Sequence, residues 1–90
     1  MYLHLGHNTI IRQSDIVGIF DLDTATVMKS TRDFLREAQS RGEVITAGEE
    51  LPKSFVLTMK NGRQHIYLAA MGSNTLQKRM EQPIMKGDSQ

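Results

Sequence analysis

Ser54-Phe55-Val56-Leu57-Thr58-Met59-Lys60-Asn61-Gly62-Arg63-Gln64-His65-Ile66-Tyr67-Leu68-Ala69 is the stretch that decides the fold of this chain. Two β-rich runs flank Asn61-Gly62, a dipeptide that tolerates the positive φ angles of a two-residue type I′ turn. Folding at that turn sets Lys60 opposite Arg63, Thr58 opposite His65, Leu57 opposite Ile66 and Phe55 opposite Leu68. A lone hairpin is marginal in water, so its apolar face requires further strands or a helix. The rest of the chain is read as what supplies them.

Upstream, Tyr2 to Leu5 alternates and reads as a strand, Gly6-His7-Asn8 as a turn, and Thr9 to Arg12 as a second short strand. Asp15 to Phe20 is a third, more apolar strand, in which Gly18 marks a bulge or a close backbone approach. Asp21-Leu22-Asp23-Thr24 ends it and offers N-cap side chains. The main helix is predicted from about Ala25 to Arg41. Val27, Thr31, Phe34, Leu35 and Ala38 form its buried stripe, and Gly42 is its C′ residue. Lys29, Arg32 and Arg36 share the opposite face. Val44-Ile45 is a further short strand, Ala47 to Pro52 a loop, and Thr75 to about Met80 a short helix capped by Ser73. The expected architecture is α+β: a small antiparallel or mixed sheet with one long helix and a short C-terminal helix.

Ninety residues make one domain. We assign residues 1–80 to it and expect a flexible tail over residues 81–90, which hold Pro83, Gly87 and few apolar side chains. The chain has no cysteine, which fits a reducing compartment. No apolar run approaches the roughly 18–20 residues that span a bilayer, and the N-terminus lacks a basic start, so a cytoplasmic protein with no membrane partner is expected. A net charge of +1 gives no long-range pull toward nucleic acid, so any such binding must arise from local clustering or from assembly.

Chemistry-bearing residues are sparse. His4 and His7 have the wrong spacing for a zinc site and read as strand and turn residues. Asp21 and Asp23 read as helix caps rather than a carboxylate pair. Ser54, Ser73 and His65 form no nucleophile motif, and Gly42 and Gly48 are isolated turn glycines, not a phosphate loop. No catalytic residue, metal ligand, cofactor or small-molecule substrate is therefore expected. The basic helix face, and Lys60 with Arg63 beside the turn, are candidates for phosphate contact; a solvated surface is the plainer alternative. Six methionines, Met28, Met59 and Met71 among them, suit either core filling or an adaptable interface. Exposed sheet edges with little charge to blunt them favour pairing with another chain, and a homo-oligomer is expected.

Taken in order, Leu3-His4-Leu5-Gly6, Asp15-Ile16-Val17-Gly18-Ile19-Phe20-Asp21-Leu22, Thr31-Arg32-Asp33-Phe34-Leu35 with Ala38 and Arg41-Gly42, Leu51 to Thr58, and Ser73 to Arg79 resemble the bacterial RemA/RemB extracellular matrix regulator family, most closely its RemB branch. None of these is a chemical motif; the specificity lies in their order and spacing. The resemblance implies a non-enzymatic regulator of matrix and biofilm gene expression. It also implies a fold related to the LytTR DNA-binding domain and ring-shaped homo-oligomers that bind double-stranded DNA. Arg41-Gly42 and Arg79 match both branches. RemA-type members contact DNA through an arginine pair just before the strand that here begins at Ser54, and through an arginine at the start of the third strand. This chain has Leu51-Pro52 and Asp15 there. A proline offers phosphate no charge and an aspartate repels it. The DNA-binding candidates are then Lys53, Lys60, Arg63, Lys78 and Arg79. The alternative is an adaptor that regulates through protein contacts and never touches DNA.

Overall fold

A computed structural model describes residues 1–6 and 8–81 of the chain. Strands β1 (Tyr2–Gly6) and β2 (Thr9–Arg12) form an antiparallel two-stranded sheet of their own. A 3₁₀ turn, Gln13–Asp15, leads into β3 (Ile16–Asp21), followed by α1 (Leu22–Ala25), α2 (Lys29–Ser40), β4 (Val44–Ala47), β5 (Ser54–Lys60), β6 (Arg63–Ala69) and α3 (Ser73–Glu81). The second sheet has four strands in the order β3-β5-β6-β4, antiparallel except for the parallel β4–β6 pair. The fold is α+β, with a mixed sheet as its frame.

The β5–β6 hairpin has the expected register, from Lys60 opposite Arg63 to Phe55 opposite Leu68. Asn61 and Gly62 have φ of 53° and 79°, both on the positive side that a type I′ turn requires. Side chains alternate along the two strands, which divides the core in two. Phe55 and Leu57 of β5 and Ile66 and Leu68 of β6 face α2, where Ala38, Phe34 and Leu35 meet them. Val56 and Ala69 face the other way, against Leu3, Leu5, Ile11 and Leu76 from the first hairpin and α3. Ser54 is fully buried at the base of this layer, and its hydroxyl donates to the Met71 carbonyl at 2.6 Å.

Edge strand β3 carries the expected irregularity. Its register against β5 shifts between Ile16 and Gly18, and the extra residue lets Ile16 and Ile19 pack into the same cluster. Gly18 is also a close approach: a Cβ there would lie 2.7 Å from Cζ of Phe20. The Phe20 ring stacks on Phe55, with centroids 5.0 Å apart.

The main helix is shorter than expected. In place of one helix from Ala25 to Arg41, α1 ends at Ala25 and α2 begins at Lys29. Thr24, Thr26 and Val27 are β-branched and weaken helical continuation. Asp21 caps the first segment, its carboxylate accepting from the backbone N–H of Asp23 and Thr24. Arg32 reaches back to the carbonyls of Thr26 and Val27, at 2.7 and 3.1 Å, so the break is satisfied from within. Val27 consequently leaves the buried stripe and is 74 % exposed. Gly42 has φ of 74° beyond the end of α2, as a C′ glycine does. Ser73 is the first residue of α3 rather than its cap. Met28 and Met59 are exposed, while Met71 packs against the core. Of the expected tail only Glu81, in α3, is described; residues 82–90 lie outside the described residues, as does His7.

Candidate nucleic-acid interface

The I′ turn places Lys60 and Arg63 directly across from each other at the far end of β5–β6, both exposed. Opposed like charges destabilise a strand pair, so this arrangement is not explained by the hairpin's own stability. Neither cation has an ion pair or a side-chain hydrogen bond among the described residues. Strand alternation puts His65 and Tyr67 on the same face as Arg63, and Thr58 on the same face as Lys60. Together with Ile11 and Asp15 they line a depression of about 370 Å³. A second depression on the other side of Arg63 is lined by Arg41, Gly42 and Glu43, where the end of α2 meets the hairpin.

The remaining cations fall into two states. Lys29 and Arg36 both pair with Asp33, each at 3.1 Å. Arg32 holds the break before α2, and Arg41 lies 3.3 Å from Glu37. The basic face of α2 is thus largely neutralised or engaged in holding its own helix. Arg79 donates to the His4 carbonyl at 3.2 Å and ties α3 to β1. Arg12, Lys53 and Lys78, by contrast, are exposed and lack such partners among the described residues.

The five candidate cations do not converge in one chain. Lys53 lies seven residues from Lys60 on an extended strand, which separates them by about 23 Å. Its backbone joins the start of α1 to the end of β6: its N–H donates to the Ala69 carbonyl, and its carbonyl accepts from Leu22. Lys78 and Arg79 sit on α3, which packs beside β1 and β3. Asp15 and Leu51-Pro52 are likewise at opposite ends of the larger sheet, because β3 runs antiparallel to β5. Of the five, only Lys60 and Arg63 are cross-strand partners, a pairing that sequence reasoning predicted. It did not place Arg41, His65, Tyr67 and Asp15 around them. The period-2 pattern from Arg63 carried the signal for His65 and Tyr67; for Arg41 and Asp15, brought in by non-local packing, there was none.

Among the described residues no group of three or more His, Cys, Asp or Glu side chains could hold a metal ion. No helix among them is long and apolar enough to cross a membrane.

These features define a small α+β fold that presents an exposed cationic hairpin turn. The chain belongs to the RemA-like family: the family model described as Extracellular matrix regulatory protein A-like matches residues 2–80. It is similar to Extracellular matrix regulatory protein B of Bacillus subtilis (strain 168), with 36 % identity over 81 residues, covering 90 % of this chain and 91 % of that protein. The family is named for regulatory proteins, not for an enzymatic activity.

Proposed function

We propose that this chain is a regulator of extracellular matrix gene expression that works in the cytoplasm as a homo-oligomer and contacts double-stranded DNA through the β5–β6 turn. The regulatory part rests on membership of a family of extracellular matrix regulatory proteins. The observation that carries the DNA contact is the opposed pair Lys60 and Arg63, exposed and without a carboxylate partner among the described residues. Two cations per chain give little affinity alone. Repeated around a symmetric assembly, they give many simultaneous phosphate contacts. Assembly is supported by β3, an edge strand with no charge from Ile16 to Phe20, on which Val17 is 62 % and Phe20 40 % exposed. The test is duplex binding by the Lys60→Glu/Arg63→Glu variant, first shown to fold and to keep its mass in solution. Loss of binding supports the turn as the contact. Retained binding moves it to Lys53 or Lys78.

A second reading, an adaptor that acts through protein contacts alone, is favoured by an apolar groove of about 220 Å³ between Phe20, Phe34, Phe55 and Leu57. Absence of duplex binding by the unaltered protein at low salt would establish that reading over the first.

A further inference from the structure

The depression beside the β5–β6 turn contains a carboxylate that the fold does not use. Asp15 closes the 3₁₀ turn ahead of β3 and lines the same depression as Lys60, Arg63, His65 and Tyr67. Its side chain makes no hydrogen bond among the described residues, and it caps no helix. It lies farther than the 4.0 Å ion-pair limit from every lysine and arginine nitrogen of the described residues. Two unpaired cations thus face one unpaired carboxylate across a gap, in a depression of about 370 Å³.

We infer that this depression is a receptor for a single phosphate group and that Asp15 limits how tightly the group is held. A tetrahedral oxyanion has several acceptor oxygens, and the depression offers several donors. Lys60 supplies a point charge, Arg63 a planar fork of N–H groups, and Tyr67 a hydroxyl. Ile11 and the Tyr67 ring supply apolar wall, which lowers the local dielectric and strengthens the charge–charge terms. The same property makes Asp15 matter. A carboxylate within one Debye length of the bound anion repels it, and the repulsion fades as salt rises. The site is therefore built with its own counterweight, so that one phosphate binds weakly and a run of phosphates met by several copies binds usefully. This deepens the DNA reading and rests on it only for the source of the phosphate, which is a nucleic-acid backbone or a free phosphate group.

The experiment uses the full chain and two probes, inorganic phosphate and a short duplex DNA, each titrated at about 20 mM and about 200 mM salt. Phosphate is followed by the backbone amide shifts of Asp15 and Thr58 to Tyr67, and duplex by fluorescence polarisation. The proteins are the unaltered chain, Asp15→Asn, Lys60→Gln/Arg63→Gln and the triple combination. Amide spectra away from the turn verify that each is folded. Phosphate is expected to shift the turn amides. Asp15→Asn is expected to tighten phosphate about five- to tenfold at the lower salt and less at the higher. The Lys60→Gln/Arg63→Gln pair is expected to abolish the effect in either background. Parallel tightening of duplex by Asp15→Asn assigns the phosphate to the nucleic-acid backbone. Tightening of phosphate with no duplex binding by any protein keeps the receptor and overturns the DNA reading. Unchanged phosphate affinity in Asp15→Asn, equal tightening in the triple variant, or no shifts at the turn in any protein overturns the inference. Duplex binding that persists in those cases leaves the DNA reading standing without the receptor.

Discussion

Replacing Gly18 with alanine should destabilise the domain through one contact. The new Cβ would meet Cζ of Phe20 at 2.7 Å and Cε2 at 2.8 Å, closer than real Cβ atoms approach. The backbone of Gly18 is not in the left-handed region, so the strain is steric. Phe20 must swing away, and its stack on Phe55, with ring planes 26° apart, is lost. Such a pair contributes about 0.5–1.5 kcal/mol beyond its burial. Crowding a packed site typically costs about 1–3 kcal/mol, but Phe20 is 40 % exposed and can move outward, so the low end applies. The expected total is about 1.5–2.5 kcal/mol, read as a lower urea midpoint at unchanged slope. A double-mutant cycle isolates the cause. In a Phe20→Ala background the alanine has nothing to strike, so Gly18→Ala should then cost less than about 0.5 kcal/mol. The reasoning is refuted if Gly18→Ala costs the same in both backgrounds.

Gly62→Val should cost about 1 kcal/mol or more, because a β-branched residue disfavours the φ of 79° at that position; thermal denaturation measures it. Phe34 packs against the α2 face of the sheet but is only half-buried, so Phe34→Ala should cost about 2 kcal/mol, below the roughly 3–5 expected of a fully buried ring. Ser54→Ala should cost about 1 kcal/mol in a chemical denaturation series, since it removes a part-buried hydrogen bond to the Met71 carbonyl. Light scattering at micromolar concentration should give a mass well above the 10.2 kDa of one chain, and a monomer across ordinary salt would contradict assembly.

How much of this was legible in the sequence depended on how local each determinant is. The hairpin register follows from Asn61-Gly62 and the alternation around it, and both are contained in sixteen consecutive residues, Ser54 to Ala69. The Asp21 cap and the Gly42 terminus are equally local. The interruption between α1 and α2 was missed because Val27, which lies in it, continues the helical period of Thr31, Phe34 and Ala38. The break is satisfied by Arg32 folding back on Thr26 and Val27, which no periodicity shows. The parallel β4–β6 pair and the separate β1–β2 sheet depend on which strands meet across the whole chain. The candidate site divides in the same way. Lys60 and Arg63 are paired by a local turn and were readable. That Asp15 lines the same depression from the 3₁₀ turn before β3 was not.

The salt dependence of duplex binding tests the central claim most directly. Each phosphate neutralised contributes about 0.9 to the slope of log affinity against log salt. If the turn carries the contact, the unaltered protein should show a steep slope. Lys60→Gln/Arg63→Gln, still folded and assembled, should flatten it by about 0.9 for every chain that touches the duplex, since the two cations share one phosphate. An unchanged slope in that variant would contradict the claim that these two cations meet the DNA.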